Sequence, residues 1–181
     1  MTDIDNYIDS NDRIRTYVIT YYHDTSLWDE APEDAKNAVI NLTWSDYIKY
    51  LDNNGKRSKD LNLLPKDAGG LYLFFIQGTT IPAAEKYLVY VGRAYYTEKE
   101  NIRKRVKRYL WESTAKQGRP KIARLFRLWK DHLYIRFCAT TDNGLIEAGE
   151  SALIRAILPP FNSTLPDRIE YKRPQKAFKE I

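Results

Sequence analysis

A carboxylate stands where a helix would be expected to place an apolar side chain. Ile146, Glu150, Leu153 and Ile157 recur at steps of four, three and four residues, so Glu150 shares the stripe that this helix buries. An unpaired buried charge is costly, so Glu150 calls for a cation. An arginine would serve, and so would a hard divalent ion such as Mg²⁺, which takes oxygen ligands and keeps most of its waters. Glu147, three residues earlier, is a second acid that points towards a different edge. An upstream helix offers the complementary charge. With Ile102 at the centre of its apolar face, Val106 and Tyr109 lie close to that direction and Arg105 falls about 60° away, at the rim. Arg105 can therefore look into a site at the core, to grip an anion or to pair with a nearby acid. Arg103, Lys104, Lys107 and Arg108 spread over the remaining directions, where they can track a phosphate backbone, and Lys121 and Arg124 on the next helix join them.

The charge distribution favours a polyanionic partner. Residues 1–69 carry 8 basic and 13 acidic side chains, whereas residues 93–136 carry 14 basic and 4 acidic ones, so the net +5 is an acidic head joined to a strongly basic middle. Such a concentration suits nucleic acid, because each phosphate neutralised releases condensed counterions. Apolar residues make up 43% of the chain and no apolar run is long enough to span a membrane, which predicts a globular domain with a real core. The polar, acidic start from Met1 to Asn11 lacks the apolar segment of a signal peptide, and the single cysteine, Cys138, suits a reducing cytoplasm. Two histidines and one cysteine argue against a zinc site of the usual ligands.

The elements that must position these residues follow from local pattern. A strand is expected over 13–22, a loop over 23–32 and a helix over 32–42. A second helix is expected after Thr43, with Trp44, Tyr47, Ile48 and Leu51 at helical spacing, stopped by Asn53, Asn54 and Gly55. Leu71–Ile76 and Lys86–Val91 read as a hairpin. Thr97 and Glu100 form the capping signal of a third helix, and Pro120 opens a fourth whose Ile122, Leu125, Phe126 and Trp129 make an apolar stripe. Leu133–Ala139 alternates as a strand, and the closing helix runs over 145–158, ended by Pro159 and Pro160.

Six short signals stand in one order: Gly70-Leu71-Tyr72, Tyr90-Val91-Gly92, Arg105, Tyr109, Glu150 and Asn162. This order resembles the GIY-YIG nucleases, which carry two tyrosine-bearing strand motifs, an arginine and a histidine or tyrosine on the next helix, then a glutamate and an asparagine. The run Ile102–Tyr109 is similar to the matching helix of the UvrC repair-nuclease branch, and Glu150–Asn162 to the family's closing helix and loop. The resemblance spans Gly69–Asn162 and implies an α+β fold: a small three-stranded antiparallel sheet flanked by helices. Residues 1–68 would be a mostly helical extension and 163–181 a basic tail. It also implies a phosphodiester-cutting site. Glu150 would anchor one Mg²⁺ (or Mn²⁺), Tyr72 or else Tyr90 would activate water, Arg105 would hold the phosphate, and Tyr109 would position phosphate or water. Gly70, Gly92, Arg93 and Asn162 would support them.

Departures from the family pattern bear on specificity. Seventeen residues separate Tyr72 from Tyr90, which lengthens the hairpin loop, Arg93 replaces a smaller or lysine side chain, and about three extra residues delay the helix. The chain carries no zinc finger and no helix-turn-helix, so the expectation is a stand-alone endonuclease acting on DNA, with RNA not excluded, as in restriction, phage or mobile-element enzymes. A homodimer, built partly through the extension, would let one site per subunit cut both strands. The alternatives are an inactive nucleic-acid-binding module and a toxin nuclease. His132 and His23 receive no role, while Tyr95 and Tyr96, at the entrance of the basic helix, are candidate DNA contacts.

Overall fold

A computed structural model describes residues 26–78, 86–115 and 119–162. The expected strand over 13–22, His23 and the tail 163–181 lie outside them. The described chain is α+β, with a four-stranded antiparallel sheet of order β1-β4-β2-β3. The strands are β1 (Ile48–Lys49), β2 (Gly69–Gln77), β3 (Lys86–Ala94) and β4 (Leu133–Thr140). The helices are α1 (Ser26–Asp29), α2 (Glu33–Ile40), α3 (Ile102–Glu112), α4 (Pro120–Trp129) and α5 (Asn143–Ile157), with a 3-10 segment at Lys59–Leu63.

The pleat sorts side chains to two faces. Leu71, Leu73, Val91 and Cys138 pack with Ile146, Leu153 and Ile154 of α5. Tyr72, Phe74, Ile76 and Tyr90 pack with α3 and α4 through Ile102, Val106, Tyr109, Ile122, Leu125 and Phe126. α1 and α2 lie on α5, where Ala31, Ala35 and Ala152 permit close approach. Register pairs Tyr72 with Gly92 and Phe74 with Tyr90, so both site tyrosines face the α3–α4 side. A bulge between Phe74 and Phe75 leaves Val89 without a partner on β2 and puts Val89 beside Tyr90 on that same side.

Three expectations are corrected. No helix follows Thr43. Residues 45–50 run extended along β4, with Ile48 opposite Ile135 and Lys49 opposite Tyr134, and the Tyr50 amide donates to the Leu133 carbonyl at 2.9 Å. Ile48 and Tyr50 are buried and Tyr47 and Lys49 less so, a period of two that helical spacing had masked. Pairing with an unsatisfied sheet edge outweighs weak helix propensity. The sheet thus gains a fourth strand from the N-terminal region, beyond the three expected. Second, Thr97 does not cap α3: its hydroxyl accepts from the Glu100 amide at 3.0 Å in a separate turn, while the Asn101 side chain caps the helix by accepting from the Lys104 amide at 2.9 Å. Third, residues 26–29, expected as loop, form the short helix α1. α5 also begins two residues earlier than expected, because Asp142 accepts from the amides of Gly144 and Leu145.

The N-terminal region is tied directly into the helix that carries Arg105 and Tyr109. Tyr50 is fully buried, and its hydroxyl donates to the Val106 carbonyl at 2.7 Å while accepting from the Leu110 amide at 3.2 Å. One phenol thus joins a donor and an acceptor four residues apart on α3. We expect Tyr50→Phe to lose about 1–2 kcal/mol, a fall in Tm of about 2–8 °C, measured by thermal unfolding. An unchanged Tm would show that α3 satisfies these groups without Tyr50.

Candidate functional site

Three tyrosine hydroxyls meet under α3. Tyr72 Oη lies 2.6 Å from Tyr109 Oη, and the Tyr109 hydroxyl donates to Tyr90 Oη at 3.1 Å. The Tyr72 hydroxyl also lies within 3.3 Å of the Arg93 carbonyl, which competes with Tyr109 as acceptor for its single proton. β2 and β3 supply the outer two phenols through the cross-strand register, and α3 lowers the third between them. The arrangement depends on two glycines. A Cβ on Gly92 would sit 2.5 Å from the Tyr72 ring, which covers that position. Gly70 has φ +146°, and a Cβ there would come within 2.0 Å of the Cys138 carbonyl oxygen.

Two guanidinium groups flank the Tyr109 ring, Arg105 at 5.5 Å and Arg119 at 4.9 Å from its centroid. Both are held by one carboxylate. Glu112 Oε1 lies 3.6 Å from Arg105 Nη1, and Glu112 Oε2 accepts from Arg119 Nε at 3.0 Å and Nη2 at 2.8 Å. Arg119 Nη1 donates in turn to Tyr90 Oη at 3.2 Å. Arg119 and Glu112 were not singled out from the sequence. Glu112 follows Arg105 by seven residues, two helical turns, and that spacing was readable; Arg119 precedes Pro120 in extended backbone, outside any periodic pattern.

Burial dominates the titration of this cluster. All three phenols are driven well above their ordinary range, chiefly by desolvation and then, at Tyr90 and Tyr109, by a neighbouring phenol. At Tyr72 the raising influence after burial is Tyr90, and Arg105 opposes it through charge and a hydrogen bond. In the folded chain these phenols keep their protons where the unfolded chain loses them, so stability is fully present below pH ~10 and falls as pH rises beyond it. We expect the phenolate absorbance of Tyr72, Tyr90 and Tyr109 to appear only with unfolding in alkali. Reversible ionisation of every tyrosine near pH ~10 in folded protein would contradict this.

Glu150 lies on the other layer, on α5, and reaches the same end of β3. Its side chain is 18% exposed, and Oε2 pairs with Arg93 Nη1 at 3.1 Å. Arg93 also meets Glu147 at 3.4 Å and stacks on the Tyr95 ring at 4.9 Å. Burial lifts the Glu150 carboxyl above its ordinary value, opposed by the charge of Arg93 and then of Arg105. The carboxylate and the tyrosine cluster are therefore linked electrically through Arg105, on opposite sides of an edge strand. Among the described residues, no group of three or more His, Cys, Asp or Glu side chains could hold a metal ion. Glu150 fits only the one-carboxylate mode of a hard cation that keeps its waters, and Arg93 holds that carboxylate here.

Asn162 braces β3 from its open side. Its side-chain amide donates to the Val91 carbonyl at 2.8 Å and accepts from the Val91 amide at 2.9 Å, and the Phe161 amide donates to the Val89 carbonyl at 3.0 Å. The edge strand between Tyr90 and Gly92 is thus satisfied as though another strand were paired to it.

The basic residues are dispersed. Arg103 donates to the carbonyls of Leu64 and Asn62, Lys107 to the Asn62 side chain, Lys104 to the Lys99 carbonyl, and Arg108 pairs with Glu100 at 2.6 Å. Lys121 donates to the Asn162 carbonyl at 2.6 Å, and Arg124 lines a groove along α4. His132 packs against Trp129. Cys138 is buried and its thiol is pushed up to about 11 by desolvation, so it is no nucleophile at neutral pH. No helix among the described residues is long and apolar enough to cross a membrane.

No family model, curated protein or solved structure matches this chain.

Proposed function

We propose that the chain is a metal-dependent endonuclease of the GIY-YIG type, which hydrolyses phosphodiester bonds of DNA as a stand-alone enzyme of the restriction, phage or mobile-element kind. One observation carries the reading: Tyr72, Tyr90, Tyr109 and Arg105 meet under α3 while Glu150 approaches the same end of β3 from the opposite layer, with Arg105 acting on both. Order along the sequence alone does not require such convergence.

In this reading Arg105 holds the scissile phosphate through its planar fork of donors and stabilises charge that builds as the bond breaks. Tyr72 orients the attacking water and, once ionised to the phenolate that the Arg105 charge favours against burial, takes its proton to return to the neutral phenol. Tyr109 keeps the two outer phenols in register. Arg119 fixes Tyr90, and Glu112 keeps both arginines in place before substrate arrives. Arg93 shares its charge between Glu147 and Glu150, so it can stay paired when Glu150 turns to another cation. A divalent ion, Mg²⁺ or Mn²⁺, held by Glu150 would neutralise phosphate charge and stabilise the leaving 3′ oxygen. One such site cuts one strand, so a double-strand break calls for a homodimer or two successive visits.

The Arg93–Glu150 pair favours one other reading, in which the proposed metal ligand is only an ion-pair partner and the domain binds nucleic acid without cutting it. Incubating the protein with supercoiled plasmid separates the two. The nuclease reading expects nicked or linear DNA with Mg²⁺ and none with a chelator, whereas plasmid left intact while DNA is bound would sustain the binding module.

A further inference from the structure

α4 and the residue after it carry basic side chains outside the tyrosine and carboxylate clusters of the proposed active site. Lys121, Arg124 and Arg127 of α4 and Lys130 just beyond it recur every third residue and all line a groove of about 800 Å³. Ser113 and Thr114, at the end of α3, lie on the groove as well, and apolar side chains including Leu110 and Phe126 complete its lining. Among the described residues no carboxylate lines it. Two side chains connect the groove to the proposed site: Arg119, next to the groove residue Pro120, reaches Tyr90, and Lys121 reaches Asn162. From Lys121 to Lys130 the chain rises about 13 Å at helical rise, about four base steps along a duplex axis.

We propose that this groove is a backbone track for the nucleic acid, which holds the strand on one side of the scissile bond and so fixes the register in which DNA enters the site. The proposal rests on the nuclease reading and deepens it by naming where the substrate lies. A row of cations opposite hydroxyl groups suits a regular series of phosphates, and the apolar lining suits the sugars between them. The absence of acidic residues from the described wall removes the repulsion that scattered surface pairs would bring.

The test is the salt dependence of binding to a short fluorescent DNA duplex, measured with chelator present so that nothing is cut. Three proteins are compared: wild type, a variant with Arg124→Gln and Lys130→Gln, and a control with Lys36→Gln and Lys86→Gln. The control removes the same charge from α2 and from the first residue of β3. We expect the groove variant to lower the slope of log Kd against log salt by about 2 relative to wild type. Its Tm stays that of wild type, and the control keeps the wild-type slope. A groove variant with the wild-type slope, or a control that falls equally, would overturn the track and leave the nuclease reading standing. A wild type that binds no DNA at low salt would overturn both.

Discussion

Glu150→Gln is expected to leave a folded protein that still binds DNA and to lower cleavage on the order of 10³-fold. The size follows from the several kcal/mol of charge stabilisation that a divalent ion contributes, with each ~1.4 kcal/mol worth a factor of ten in rate. The substitution keeps the shape of the side chain and removes its charge. Arg93 is not stranded, because Glu147 remains 3.4 Å away. The fold should even gain slightly, since the Glu150 carboxyl is held above its ordinary value by burial. The sign is that of a buried acid whose folded form holds its proton more tightly than the unfolded chain. Its charged form therefore weakens the fold as pH rises through the window between the two values, and glutamine escapes that penalty. Activity runs the other way: in the wild type it should be lost as pH falls through the raised carboxyl value, where Glu150 takes up its proton. If Glu150→Gln instead unfolded the protein, the ion pair with Arg93 would be its principal role.

Tyr72→Phe carries the second large effect, a loss on the order of 10²–10⁴-fold in the rate of the chemical step, the usual contribution of a positioned acid or base. Phenylalanine fills the same space over Gly92, so the ring keeps its place, and the change removes the 2.6 Å contact with Tyr109 and the contact to the Arg93 carbonyl. Stability should fall by about 1 kcal/mol, far less than the rate. The diagnostic measurement is the pH profile of single-turnover cleavage. With Tyr72 present the rate rises with pH, because burial holds the phenol protonated and Arg105 only partly offsets it. In Tyr72→Phe that rise is lost while DNA affinity is kept. A variant that keeps the rise would move the water-activating role to Tyr90, whose hydroxyl Arg119 holds.

Much of this geometry was legible in the residues, for physical reasons that differ from part to part. A helix repeats every 3.6 residues, so the buried face of α3, with Ile102, Val106 and Tyr109 on it, followed from which side chains are apolar. The α+β class, the hairpin, Pro120 as the opening of α4 and the alternation of β4 rest on that logic, and the structure has them. Where two periods competed, the sequence misled. Trp44, Tyr47, Ile48 and Leu51 satisfy a helix, yet Ile48 and Tyr50 also satisfy a strand, and the decision lay with β4, which needed a partner some 85 residues away along the chain. Long-range pairing leaves no local trace. The cap of α3 was missed for a different reason, because Thr97 and Asn101 both make capping bonds and only one of them adjoins the helix. Arg119 was invisible because a residue in extended backbone before a proline has no neighbours that repeat. Glu112 was visible in principle, two turns beyond Arg105 on the same side of α3.

The direct test of the proposed nuclease activity is single-turnover cleavage of one DNA substrate by wild type, Glu150→Gln and Tyr72→Phe, each with Mg²⁺ and with a chelator. A GIY-YIG-type nuclease would show Mg²⁺-dependent cutting by the wild type and losses of the stated size in both variants, with DNA affinity retained. Cutting by Glu150→Gln at the wild-type rate, or by the wild type in chelator, would contradict it.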